Sequence, residues 1–405
     1  MQILVTSSRM PYAIREIRAF SKAGHTVHAA DTFENAPGSH SRHASLSHET
    51  VSPRKNPEGY RNQIAALVDR YAIDLVVPTF EEVFYLTREG TTIGERGTPI
   101  FASSFDALKL LHDKSRFTAL CRDLELPVAE TIVCDSRDSF LRAIKEFDEF
   151  FARAAYSRAG TSICTNAGPL AGEVDPNEIE PTPANPWLVQ PYLEGTDLCT
   201  FSVVQQGTVV AHSAYQHPKT LDSAGGIVFE SVDAPKALAA AQLIAEATAY
   251  HGQISLDIMV TPDGTPHLVE CNPRPTAGVS VMPMDTFVDA VLRPPIEGTN
   301  PPVDVAPAGK RAIMRGALLR DMLVDPSSIG EDLAEIFSDT DDVYFDDDDK
   351  LPGIYQVLSL SHVIQYWKSE EGGFGDKLAA GYLHDLTWDG DDAAKNEQPH
   401  VAPVA

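Results

Sequence analysis

The first hundred residues alternate between short apolar runs and longer stretches with helical spacing. Residues 2 to 8 (QILVTSS) read as a buried strand, and residues 11 to 23 as a helix whose Ile14, Ile17 and Phe20 share one face, ended by Gly24. Thr26 to Ala30 reads as a second strand, residues 57 to 71 as a second helix with Tyr60, Ile64, Leu67 and Val68 inward, and Asp74 to Pro78 as a further strand. Strands that alternate with helices predict a parallel, doubly wound sheet. The loop after the first strand, Ser7-Ser8-Arg9-Met10-Pro11, lacks the G-x-G-x-x-G that lets a backbone approach a dinucleotide pyrophosphate, which argues against NAD or FAD. Ligands of such sheets sit beyond the carboxyl ends of the strands. That turns Ser7, Ser8, Arg9 and Thr79-Phe80-Glu81-Glu82 toward a cleft, where Glu81 and Glu82 serve either as partners of a helix N-terminus or as substrate contacts.

From about residue 104 the pattern changes. Ser104-Phe105-Asp106 starts a helix, Asp113-Lys114 precedes another that runs to about 124, and Leu126-Pro127 follows. Residues 150 to 161 read as strand, small-residue loop, strand: Gly, Ser and Thr offer backbone N–H groups to phosphate, with a cation, Arg153, on the preceding strand. A polar, Pro-rich loop spans 171 to 186, and Trp187 to Leu198 reads as a strand end, a turn and a new strand. An extended segment of that kind can hydrogen-bond an adenine edge. Strands follow at 198 to 205 and 208 to 215, a loop at Ala224-Gly225-Gly226, and an Ala-rich helix at 234 to 250.

Two apolar runs, Ile254 to Val260 and His267 to Cys271, flank Pro262-Asp263-Gly264-Thr265, which is hairpin chemistry. With those four residues as the loop, Val260 faces His267, Met259 faces Leu268, and Asp257 stands directly opposite Glu270. Like charges so placed destabilise a sheet. Asn272 shares the face of Glu270, so two carboxylates and an amide gather among apolar neighbours. Such a cluster calls for a cation, and a few hard oxygen ligands suit Mg²⁺, which keeps waters and binds substrate phosphates.

Leu268-Val269-Glu270-Cys271-Asn272-Pro273-Arg274-Pro275, with Asp257 upstream, resembles the metal-binding signature of the ATP-grasp superfamily, most similar to its carbamoyl-phosphate-synthetase-like carboxylate–amine ligase branch. The resemblance covers about residues 1 to 290. It implies that Asp257, Glu270 and Asn272 hold Mg²⁺ (or Mn²⁺) on ATP, that Arg274 contacts the transferred phosphoryl group, and that Lys114 reaches the nucleotide phosphates. It further implies phosphate contacts from Arg153, Ser157 and Arg158, adenine contacts from Gln190, Pro191, Tyr192 and Leu193, and ribose contact from Asp197, with Glu194 the alternative. Lys219 matches positions near the γ-phosphate; an ordinary surface lysine is the other reading. The sequence departs from the family where Arg153 replaces a usual Lys and Ala154 a usual Pro, and Arg and Lys are not interchangeable.

The implied fold class is α/β and α+β, an ATP-grasp architecture: a doubly wound N-terminal domain (1–103), a small lobe (104–190), a large lobe with the metal site (191–297), a C-terminal extension (298–388) and a disordered tail (389–405). The implied activity is ATP-dependent ligation of a carboxylate to an amine or other nucleophile through an acyl phosphate, releasing ADP and phosphate. A bicarbonate-phosphorylating, carbamoyl-phosphate-type enzyme and a MgATP-binding protein without turnover are the alternatives. No nucleophile elbow, H-E-x-x-H or P-loop occurs in the chain.

Composition narrows the partners. The 405 residues carry a net charge of −26, which disfavours nucleic acid and anionic membranes, and no run of 18 apolar residues occurs. Five cysteines without C-x-x-C spacing predict neither disulfides nor structural zinc but buried small side chains. A cytoplasmic protein acting on small carboxylates and amines is expected, with a homodimer allowed. Residues 331 to 350 hold ten acids and one lysine and read as a solvated, mobile surface. Beyond them Val357, Leu360, Val363, Ile364 and Trp367 predict one helix packed on the body.

Overall fold

The computed structural model describes residues 1–157, 162–221, 225–294, 302–324, 328–369 and 378–390. The chain folds as two compact units, each assembled from separate stretches: residues 1–107, 199–255 and 273–388 form the first, and 108–198 and 256–272, with the chain from Asp389, the second.

In the first unit a four-stranded parallel sheet has the order Leu46–Glu49, Thr26–Asp31, Gln2–Val5, Leu75–Val77. Ile3, Leu4, Val5, Val27, Val76 and Val77 are fully buried, as both faces of such a sheet require. The helix Pro11–Lys22 buries Ile14, Ile17 and Phe20, and Gly24, at φ +87°, turns the chain back. The helix Pro57–Tyr71 has the predicted bounds, with Tyr60, Ile64 and Val68 buried and Asn56 accepting from the Gly59 N–H. The edge strand Leu46–Glu49 went unpredicted because its side chains are mostly exposed and carry no apolar alternation.

The same unit holds antiparallel strands: Thr196–Gln205, which enters it at Cys199, pairs with Thr208–Leu221, and that with Gly225–Val232. Arg311–Ile313 pairs antiparallel with Gly225–Val232 and parallel with Asp341–Asp342. The helix Pro235–Ala247 ends three residues short of the expected 250.

Three expectations are corrected here. The carboxyl end of the parallel sheet is filled by the chain itself rather than left as a cleft. Arg9 is fully buried, its Nε 2.8 Å from Asp31 Oδ1 and its Nη1 2.9 Å from Asp385 Oδ1, with Phe33 stacked against the guanidinium. Glu82 accepts from Thr6 Oγ1 at 2.6 Å and from the Thr79 N–H, and Glu81 accepts from the Trp388 N–H. Burial pushes the Glu82 carboxyl up, and both acids are structural.

The acidic run is a solvated surface only in part: Glu331, Asp339, Asp341, Asp347 and Asp348 are exposed, and others are built into the fold. Asp332, Asp342 and Asp349 are buried, and the basic residues of the Pro11–Lys22 helix answer the run: Arg18 Nε lies 2.8 Å from Asp349, Lys22 3.2 Å from Asp346, and Arg15 3.9 Å from Asp341. The single helix predicted near 357–367 is two helices, Leu351–Leu358 and Leu360–Lys368, in which Val363 is fully buried while Val357 and Ile364 are exposed.

The second unit is an antiparallel sheet in the order Ile132–Cys134, Trp187–Pro191, Phe150–Ala154, Ile163–Thr165, with Cys134, Phe140, Ala152, Cys164 and Val189 in its core. The strands Gly252–Val260 and Pro266–Asn272 meet through a five-residue loop, one longer than expected; Gly264 (φ +80°) supplies the left-handed position there, and the Thr261 N–H bonds to the Thr265 carbonyl. All five cysteines are free, four of them buried. Among the described residues no helix is long and apolar enough to cross a membrane.

Candidate active site

The second unit gathers most of the predicted site. Side-chain alternation along the hairpin sets Asp257, Glu270 and Asn272 on one face: Asn272 Nδ2 lies 3.2 Å from Asp257 Oδ2 and 3.4 Å from Glu270 Oε1. Two cations close on Glu270. Lys114, the first residue of the helix Lys114–Asp123, is placed by its N-cap Asp113, whose Oδ1 accepts from the Ser115 and Arg116 N–H groups. Its Nζ lies 3.3 Å from Glu270 Oε2 and donates to the Ser157 carbonyl at 2.8 Å. Arg153, on the strand Phe150–Ala154, puts Nη1 3.2 Å from the same oxygen and donates from Nη2 to the Val269 carbonyl at 2.6 Å.

The electrostatics follow from that geometry. Burial pushes the Glu270 carboxyl up, but Lys114 and then Arg153 outweigh it and hold the group at about 2. Burial lowers the Arg153 guanidinium, opposed by Glu270 and Asp257. Two carboxylates against two cations leave the cluster neutral.

Among the described residues no three His, Cys, Asp or Glu side chains are placed to hold a metal ion; the candidate set is two carboxylates and one amide. It fits Mg²⁺ by donor type, since the Asn272 amide turned by 180° presents Oδ1 where Nδ2 now stands. A neutral cluster accepts a dication only together with an anion, which matches an ion carried on phosphates.

The segment expected to meet adenine is in the same unit. Gln190 is buried and donates to Thr131 Oγ1 at 2.8 Å, and the Tyr192 N–H bonds to the Glu149 carbonyl at 2.9 Å. Pro191 and Leu193 are half-buried, and Glu194 and Asp197 exposed. At Gly195 a Cβ would stand 2.5 Å from the Val260 carbonyl oxygen, so glycine alone lets this segment pass the hairpin. Ser157 Oγ donates to the Ala154 carbonyl at 3.0 Å; Arg158 lies outside the described residues.

Likeness to solved structures places the fold. No protein-family model matches the chain, and no curated protein matches its sequence. Solved structures do match: an N5-carboxyaminoimidazole ribonucleotide synthetase in complex with ADP at 12% identity over 81% of this chain and 85% of that one (TM-score 0.59), and the Thermotoga maritima phosphoribosylamine–glycine ligase at 14% over 77% and 78% (0.55). The biotin carboxylase domain of the Hydrogenobacter thermophilus 2-oxoglutarate carboxylase, a dimer with MgADP, ADP and bicarbonate, matches at 15% over 74% and 71% (0.56).

The fold is that of the ATP-grasp ligases.

Two expected ATP-grasp site residues belong to the first unit. Arg274 lies over the Phe80 ring at 4.5 Å and bonds to the Pro275 carbonyl, and its own carbonyl accepts from Ser255 Oγ. Lys219 is 2.9 Å from Asp321 and also paired with Asp332, itself held by Ser328. Two carboxylates over-compensate one ammonium, so Lys219 is already engaged. Sequence reasoning missed Asp321 and Asp332, which lie about a hundred residues downstream with no motif. It also missed the Ser157 and Val269 carbonyls, because backbone atoms carry no residue signature.

Proposed function

We propose that the chain is an ATP-dependent carboxylate–amine ligase of the carbamoyl-phosphate-synthetase-like branch. One observation carries the reading: two carboxylates and an amide share one hairpin face, and two buried cations from separate segments converge on Glu270. Asp257, Glu270 and Asn272 would hold Mg²⁺, which supplies charge neutralisation on the nucleotide phosphates. Lys114 and Arg153 are held in place by Glu270 and by the Ser157 and Val269 carbonyls, so their charge is positioned before a phosphate arrives. Residues 190 to 193 receive the adenine, and Asp197 the ribose. Arg274, two residues past Asn272 in the chain, takes the transferred phosphoryl group; Lys219 can join it only by exchanging Asp321 and Asp332 for substrate. The substrate carboxylate attacks the γ-phosphorus, ADP leaves, and the amine then displaces phosphate from the acyl carbon and loses its proton. The five-part division made on the sequence, two lobes around the nucleotide among them, and a cytoplasmic location belong to this reading.

Bicarbonate as the carboxylate is the second reading, favoured by the dimeric carboxylase domain solved with bicarbonate. Mg²⁺-dependent ADP release across a pooled matrix of carboxylates and amines, with mass spectrometry of active wells, separates the two. ADP that requires both a carboxylate and an amine supports ligation. ADP with bicarbonate alone supports the second reading. No ADP in any well, with Glu270→Gln indistinguishable from wild type, contradicts both.

A further inference from the structure

The ammonium of Lys114 sits on a long flexible stem, and such a group points to one place only when something holds it. Two acceptors do so: Glu270 Oε2 at 3.3 Å and the Ser157 carbonyl at 2.8 Å. Glu270 is shared with Arg153 and is itself a candidate metal ligand. The Ser157 carbonyl gives the shorter contact, and a backbone atom is only as fixed as the residues that carry it.

Residues 156 and 157 are fixed by hydrogen bonds. Ser157 Oγ donates to the Ala154 carbonyl at 3.0 Å, the Tyr156 N–H to Asn185 Oδ1 at 3.0 Å, and the Tyr156 hydroxyl to Asp113 Oδ2 at 3.1 Å. Asn185 stands near the end of the Pro-rich loop 171–186, and its own N–H is held by Thr182 Oγ1 at 3.1 Å. Asp113 is the N-cap of the helix that Lys114 begins. Capping uses only its Oδ1, which takes the Ser115 and Arg116 N–H groups; a serine caps a helix as well with the single oxygen it has. The second oxygen of this buried carboxylate is what capping leaves over, and it is given to Tyr156.

Two bonds thus join the same pair of dipeptides, 113–114 and 156–157, across 43 positions of sequence. One bond is a pivot. Two close a ring that sets both the distance and the angle between the segments.

We propose that Tyr156 is a positioning residue for Lys114: it fixes the Ser157 carbonyl against the helix start, so that the ammonium keeps its place when Glu270 is engaged by a metal ion. The proposal rests on the reading of Lys114 as a nucleotide-phosphate contact, and adds to it the side chain that keeps that contact in place. In this arrangement Tyr156 need touch no phosphate. Its effect on nucleotide binding passes through the lysine.

A double-mutant cycle on MgATP affinity, read by isothermal titration of the full chain, tests it. Tyr156→Phe keeps the ring, which lies 6.0 Å from the His112 ring, and removes only the hydroxyl. It should weaken MgATP about tenfold, as should Asp113→Ser, which keeps the helix cap and drops the second oxygen. Lys114→Met should weaken MgATP at least as much. Adding Tyr156→Phe to Lys114→Met should then cost nothing further, because the ammonium through which the hydroxyl acts is gone. A hydroxyl that merely stabilised the fold would weaken binding by the same factor in either background. The proposal is overturned if Tyr156→Phe and Asp113→Ser, folded by circular dichroism, bind MgATP as wild type does, or if the losses of Tyr156→Phe and Lys114→Met multiply in full. Wild type that binds no MgATP overturns the phosphate reading of Lys114 itself, and the proposal with it.

Discussion

The hairpin face of the second unit and the acidic run of the first both crowd carboxylates together, and they resolve the crowding differently. On the hairpin, Asp257 and Glu270 are brought together by strand register, and two cations converge on one of them. The result is neutral, half-buried and adjustable: the Asn272 amide can turn, and Glu270 keeps one oxygen toward it. In the acidic run each buried acid is spent. Asp349 takes Arg18 Nε, Ser41 Oγ and the Arg42 N–H, and Asp342 takes the N–H groups of Arg315, Tyr344 and Phe345. A carboxylate with both oxygens taken by donors of the fold is an anchor; one facing another acid across a strand pair leaves room for a metal ion.

That contrast can be broken by substitution, and the largest effect is expected at the anchor. Asp349→Ala strands the buried Arg18 guanidinium and should destabilise the protein by about 3–5 kcal/mol in urea titrations, with no recovery on adding MgATP. Glu270→Ala removes the carboxylate that Lys114 and Arg153 share; a loss of about 3 kcal/mol is expected, and here pyrophosphate should restore part of it by binding the two cations. Recovery in the first variant, or none in the second, would erase the distinction. Arg153→Lys forfeits the bond to the Val269 carbonyl, costing about 1 kcal/mol, while keeping the charge; Mg²⁺-dependent ADP release should persist. At the small end, Asp347→Ala, on an exposed acid of the same run, should change stability by no more than about 0.5 kcal/mol.

Acid titration sharpens the comparison. Glu270 is held at about 2 in the folded state, below its ordinary value of 4.5. Its contribution is therefore complete above the ordinary value and lost as pH falls from there toward 2. Wild type should lose stability across that interval, and Glu270→Gln should flatten that part of the curve. Equal slopes in the two proteins would mean that the cations do not stabilise the Glu270 carboxylate.

Legibility followed locality. The hairpin cluster could be read because its residues lie within sixteen positions and strand alternation fixes their faces. The parallel sheet and its helices were readable for the same reason, periodicity over short windows. Arg18 and Asp349 are separated by 331 positions, and no local pattern announces that pairing. Separations of 376 and 113 positions hid Asp385 from Arg9 and Asp332 from Lys219. Within the site, the departure at Arg153 was visible, but its bond to the Val269 carbonyl was not, since a backbone acceptor has no letter in the sequence.

The central claim is that the hairpin face binds a metal–nucleotide complex. Isothermal titration of ATP into the full chain, with Mg²⁺ and with Mg²⁺ chelated, for wild type and Glu270→Gln, tests it most directly. The account predicts binding that requires Mg²⁺ and weakens at least about tenfold in the variant, a difference of about 1.4 kcal/mol. Binding of equal strength with and without Mg²⁺, unchanged in Glu270→Gln, would contradict it.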